Sequence, residues 1–225
     1  MPSSTVFNLL EACREPGCPI CRLEQQSVER YLDNQFYENV NSPKWRDGLR
    51  ASFGFCHEHA WLGVNQRLGD ALGYSIIYRD LVNSILNQLE GDSGSSRNRI
   101  ASVIDVLMPR KQCPACEQRD HARQMYLAVF VEELGTVDMI EALQASEGLC
   151  LLHFRLALER VKNPSTAEGL LSIQRDKLEK LRTELEEFIR KNDYQAIREG
   201  FGKEGDAWLR AIGMMVGIRK ERWIK

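Results

Sequence analysis

A chain of 225 residues has room for one large domain or two small ones, and its 43% hydrophobic content suffices for a buried core. The net charge of −2 argues against a broad, sequence-independent grip on nucleic acid, which needs excess Lys and Arg to neutralise phosphates. The opening MPSSTVFNLLEACREPGC lacks a basic region followed by a long apolar run, and no stretch approaches the ~20 apolar residues of a membrane span, so a cytoplasmic location is expected.

Helical spacing recurs along the chain, and long alternating Val, Ile and Thr runs are absent, which predicts an all-α fold. Ser3 or Ser4 caps a first helix that ends before Pro16. A second helix follows Cys21 and reaches about Asn39; Ser42 and Pro43 break the chain, and Trp45 to Phe53 form a shorter helix. Trp61 to Leu89 read as one helix, with interruption expected near Gly69 or Gly73. The run Gly91, Asp92, Ser93, Gly94, Ser95, Ser96 is a linker. Helices are then expected over 100–108, 117–134 and 137–145, and from the second Cys-x-x-His to Val161.

Asn163 and Pro164 stop that run, and Ser165 with Glu168 reads as a capping box. The helix behind it lines up Leu171, Leu178, Leu181, Leu185 and Phe188, a stripe for the core or for a partner helix. A last helix from Asp206 to Arg219 is expected to turn Trp208, Leu209, Ile212 and Met215 inward. Gly200, Gly202 and Gly205 form an interhelical loop before it. The only basic cluster near a terminus is residues 219–225.

The chemistry lies in a duplicated signature. Cys18 and Cys21 are followed by Cys56 and His59; Cys113 and Cys116 are followed by Cys150 and His153. Two thiolates three residues apart converge on one point, and a Cys-x-x-His can close a tetrahedron around zinc. The two Cys pairs are offset by 95 residues and the two Cys-x-x-His pairs by 94, so the copies are in register. Register also selects the ligands, because His57 falls on Leu151, His121 on Gln26 and Cys13 on Met108. Two Cys3His sites follow, with His57, His121 and Cys13 outside them. The match extends to Tyr31 and Leu32 with Tyr126 and Leu127, Gly54 with Gly148, Phe55 with Leu149, and Leu62 with Leu156.

The expected organisation is a repeat over 1–92, a second over 99–162, and C-terminal helices over 165–225 that cover a pseudo-twofold pair. Each repeat is expected to be a helix hairpin tied by its own metal, with Cys18 and Cys21 facing Cys56 and His59. Four protein ligands leave no position for water or substrate, which favours structural over catalytic zinc. Iron–sulfur ligation by the same thiolates is the alternative cofactor. Zinc release on thiolate oxidation, with Cys13 as a resolving thiol, gives the redox-sensor alternative.

No P-loop, GxGxxG, GxSxG or HExxH occurs, so no assembled active site is legible and an enzyme is disfavoured. The arrangement CPxC…GxCxxH, carried by Cys18, Cys21, Gly54, Cys56 and His59 and again by Cys113, Cys116, Gly148, Cys150 and His153, resembles an uncharacterised prokaryotic family of helical zinc-binding proteins. The resemblance implies metal binding and brings no catalytic residues. The expected function is a zinc scaffold that binds a protein partner or itself; nucleic-acid binding through residues 219–225 is the weaker alternative.

Overall fold

The computed structural model describes residues 3–90, 96–193 and 199–218. The linker expected over 91–96 therefore falls outside it except for Ser96, and the basic cluster 219–225 falls outside it entirely. Among the described residues the fold is all-α, with eleven helices and no strand. They are α1 (Ser4–Cys13), α2 (Pro19–Glu38), α3 (Pro43–Ser52), α4 (His57–Asn65), α5 (Ala71–Glu90), α6 (Ser96–Val106), α7 (Pro114–Glu133), α8 (Val137–Ala145), α9 (Leu151–Leu158), α10 (Pro164–Lys191) and α11 (Ala207–Val216).

Starts and stops follow local chemistry. Ser3, Ser42 and Thr136 cap α1, α3 and α8 by accepting the amides of Val6, Trp45 and Met139. The expected 61–89 helix is two helices. Arg67 at φ 56° and Gly69 at φ 76° reverse the chain between them, and a Cβ on Gly69 would lie 2.6 Å from Phe36 Cβ.

Two expectations for the C-terminal helices change. The cap of α10 is Asn163, whose side chain accepts from Ser165 and Thr166, with Pro164 as first helical residue. Ser165 is thus inside the helix, and the Ser165–Glu168 capping box does not form at its start. The buried positions of α10 include Leu170, Gln174 and Leu181, whereas Leu171 is 40% exposed. In α11 the inward residues are Ala207 and Met214, while Trp208, Ile212 and Met215 are about half exposed. That helix is apolar on most of its circumference, so periodicity does not fix which face turns inward.

The chain divides into two compact units. One combines the residues up to 25 with those from 122 onward; the other is the continuous stretch 26–121. The boundaries fall within α2 and α7. The first unit has a core of Leu9, Ile20, Leu23, Leu127, Phe130, Met139, Leu143, Leu149 and Leu170. A smaller cluster of Leu181, Ala207 and Met214 joins α10 to α11. The second unit packs Val28, Leu32, Phe36, Leu49, Phe55, Ile77 and Leu81, with Phe36 stacked on Tyr74 at 4.1 Å between ring centroids. No helix among the described residues is long and apolar enough to cross a membrane.

Candidate metal centres

All eight candidate ligands occupy equivalent places at the start of a helix. The carbonyls of Cys18, Cys56, Cys113 and Cys150 accept the first helical hydrogen bonds, from Arg22, Ala60, Glu117 and Phe154 at 3.2, 2.9, 3.1 and 2.8 Å. Each of these cysteines is therefore the residue that caps α2, α4, α7 or α9. Its partner (Cys21, His59, Cys116 or His153) is the third residue of the helix, on the same face. A Ser and a Glu at these positions would serve backbone amides reciprocally. Cys with Cys or His instead aims two soft donors at one point. Pro19 and Pro114 pre-set the helical φ behind Cys18 and Cys113. Gly54 and Gly148, at φ 86° and 89°, turn the chain into Cys56 and Cys150.

Tertiary structure then decides which pairs meet. In the first unit Cys18 and Cys21 face Cys150 and His153; in the second, Cys56 and His59 face Cys113 and Cys116. The expected hairpins, each with a metal tying its own copy together, are overturned. Each cluster takes one pair from each copy. Hydrogen bonds between the segments accompany this exchange: the Gly17 amide donates to the Glu147 carboxylate at 2.9 Å in the first unit, and the Arg110 and Lys111 amides donate to the Ala51 carbonyl at 2.8 and 3.0 Å in the second.

In the first cluster His153 Nδ1 lies 3.4, 3.3 and 3.2 Å from the sulfurs of Cys18, Cys21 and Cys150, and Cys21 and Cys150 are 3.6 Å apart. In the second, His59 Nδ1 lies 3.3, 3.7 and 3.3 Å from those of Cys56, Cys113 and Cys116, and Cys56 and Cys116 are 3.7 Å apart. A tetrahedral zinc with Zn–S near 2.3 Å and Zn–N near 2.0 Å requires edges of about 3.8 Å between sulfurs and about 3.5 Å from sulfur to nitrogen. Both clusters have these dimensions, and a disulfide at ~2.05 Å does not. All seven cysteines are unpaired. The clusters are suited to one metal ion each.

Electrostatics give the same requirement. Burial pushes the Cys18 and Cys116 thiols up to about 12, because a thiolate is costly away from water. Hydrogen bonds from Cys18 and Cys21 pull Cys150 down instead. Desolvation opposes charge on His153, but its hydrogen bonds to Cys150, Cys21 and Glu24 outweigh that and push it up to about 11. A cation at the centre would replace these protons. Two helix N-termini point at each cluster, and their positive partial charge suits the net anion that three thiolates form around a divalent ion.

A family of unknown function, DUF6062, matches residues 6–222. The chain belongs to this family. It is 28% identical over 220 residues to an uncharacterised 23.9 kDa protein from the xynA 3′ region of Caldicellulosiruptor sp. (strain Rt8B.4), covering 94% of this chain and 100% of that one. No solved structure matches.

Residues not recognised from sequence complete the first centre. Glu24, one helical turn beyond Cys21, places Oε1 3.0 Å from His153 Nε2 and also accepts from Arg123. With a metal on Nδ1 the ring proton sits on Nε2 and is donated to this carboxylate. Gln174 on α10 accepts from the Leu149 amide at 3.1 Å and donates to the Leu149 carbonyl at 2.9 Å, pinning the turn before Cys150. Gly217, at φ 86°, passes so close that a Cβ there would lie 3.0 Å from Cys21 Sγ. The spacing of Glu24 from Cys21 was a usable signal. Gln174 and Gly217 carried none, being brought in by packing alone.

His57 and His121 are exposed and belong to neither cluster. Cys13 is also in neither cluster; it is buried in α1, and burial pushes its thiol up to about 11. A thiol so raised is a poor nucleophile near neutral pH, which disfavours its use as a resolving thiol.

Proposed function

We propose that this protein is a cytoplasmic helical scaffold holding two structural zinc ions, one in each Cys3His cluster, and that it acts by binding another protein or a second copy of itself. The observation that carries the zinc reading is the pair of closed donor sets, each with edges matching those of a single tetrahedral zinc. A polynuclear iron–sulfur cluster would place iron and sulfide between the ligands and spread them beyond one ion's coordination sphere, so the tight grouping favours zinc. Each ion contributes folding free energy directly, because its ligands come from segments that meet only in the folded chain.

The interaction reading is supported by an exposed apolar stripe in the second unit. Ile100 and Ile104 on α6, with Leu107 and Met108 just beyond it, are all well exposed at helical spacing. Contiguous apolar surface of this kind marks binding sites.

Metal analysis of protein purified without added chelator tests the zinc reading. Two zinc per chain and no visible absorbance are expected; iron with sulfide would replace the reading with electron transfer or redox sensing. For the interaction, the pair I100E and I104E is expected to abolish self-association or partner binding in sedimentation while both zinc ions remain. Unchanged sedimentation would remove the stripe from the function.

A further inference from the structure

Helix α11 is built the wrong way round for a core helix. Its buried residues are the small Ala207 together with Met214, with Ala211 partly buried beside them, and these pack on Leu178, Leu181 and Leu185 of α10. The large apolar side chains point away. Trp208, Ile212 and Met215 are about half exposed, and Val216 is 78% exposed. Spacings of four, three and one residues place them along one stripe of the helix. Phe201 adds a further exposed ring beside the helix start, its Cβ lying 3.2 Å from where a Cβ on Gly205 would sit.

The acidic groups around this helix are compensated inside the unit. Arg210, the one charged residue of α11, is held by Glu184 and by Asp206, the latter at 2.8 Å. Lys191 holds Glu204 at 2.7 Å, and Arg190 holds Glu187 at 2.8 Å and also Glu199. Just beyond the helix the sequence turns basic. Residues 219–225 contain Arg219, Lys220, Arg222 and Lys225 against Glu221 alone, together with Trp223 and Ile224.

An exposed apolar stripe that includes a tryptophan, continued by a cationic segment with further apolar residues, suits the interface of an anionic bilayer. Apolar side chains enter the boundary between headgroups and acyl chains, tryptophan favours that boundary, and Lys and Arg are drawn to anionic headgroups. A second copy docked on this face would bring the same positive excess, so charge complementarity favours the lipid surface over self-association here. We propose that α11 and residues 219–225 attach the protein peripherally to the surface of a membrane rich in anionic phospholipid. The stripe lies on the bilayer and does not span it, because α11 has ten residues and a span takes ~20. This attachment goes beyond the partner-binding reading and uses a different unit from the Ile100 and Ile104 stripe.

The test floats the full chain, as purified, with vesicles of phosphatidylcholine alone or with about 30% phosphatidylserine. Binding to the anionic vesicles at low salt is expected, with binding to the neutral ones at least ~10-fold weaker. Raising the salt to ~0.5 M should release the protein from the anionic vesicles. Ile212→Glu combined with Met215→Glu should abolish binding while helicity and metal content stay as in the parent protein. Lys220→Gln combined with Arg222→Gln should weaken it at least ~10-fold. Ile100→Glu combined with Ile104→Glu should leave it unchanged. Should the α11 double variant not accumulate as folded protein, the Lys220 and Arg222 pair, which leaves α11 intact, carries the test. No vesicle binding at low salt, equal binding to both vesicle types, or indifference to both the α11 and the basic double variants would overturn the proposal. Loss of self-association in Ile212→Glu with Met215→Glu, without vesicle binding by the parent protein, would overturn it too and assign the face to a second copy.

Discussion

Cys21 and Cys150 lie 129 positions apart in the chain, yet their sulfurs are 3.6 Å apart. The whole second unit, with its own cluster, lies between them in sequence. The first cluster thus joins the two separate chain segments of one unit, and the second closes a shorter loop within the other.

This nesting makes a prediction that separates it from two independent hairpins. Cys18→Ser combined with Cys150→Ser strikes one cluster, so the double variant should retain one zinc per chain. Cys18→Ser combined with Cys56→Ser strikes both and should retain none. Metal analysis after desalting reads the difference. The reverse result would mean that each copy holds its own ion.

Metal loading should release protons. The Cys18 and Cys116 thiols sit at about 12 without metal, so both are protonated at neutral pH and must be displaced to ligate. Raising the pH therefore favours loading and lowering it favours release. Zinc affinity should fall continuously as the pH drops below about 12, through the whole neutral range, and titrations in buffers of different ionisation enthalpy should show at least one proton released per ion. Affinity independent of pH would contradict the ligation.

Gln174 is buried and bonded to both sides of Leu149. Its replacement by Ala leaves a buried amide and carbonyl unpaired, at ~1–3 kcal/mol each, besides the lost packing. Chemical denaturation should show a loss of about 2–6 kcal/mol, with faster zinc release from the first centre. A loss below ~0.5 kcal/mol would show that the Leu149 turn holds itself.

Helix α10 offers a sharp comparison of caps. Asn163→Ala removes the acceptor for the Ser165 and Thr166 amides and should cost ~1 kcal/mol. Ser165→Ala, inside the helix, should be close to neutral or slightly stabilising, since Ala is the better helix former. Thermal melts of the two variants decide it.

Much of the local chemistry is readable in the linear chain. Cys-Pro-x-Cys sets a helix start with both thiols on one face, and Gly-x-Cys-x-x-His does the same after a turn that needs positive φ. These are relations over three or four residues, so sequence alone determines them, along with the all-α class; the eight side chains that the 94- and 95-residue register picks over His57, His121 and Cys13 are the ones gathered into the two clusters. The grouping is different. Two identical pairs and two identical partners can be matched in two ways that satisfy the same local geometry, and ligand spacing does not distinguish them. The packing of Leu9, Ile20 and Leu23 with Phe130 and Leu149, and of Val28 and Leu32 with Phe55 and Ile77, settled the choice. The inward face of α11 was likewise decided by packing, because a helix apolar on most sides presents several usable faces and only its neighbours select Ala207 and Met214. Only the tertiary structure brought Gln174 and Gly217 to a cysteine pair, since a contact between residues so distant in sequence leaves no periodic trace.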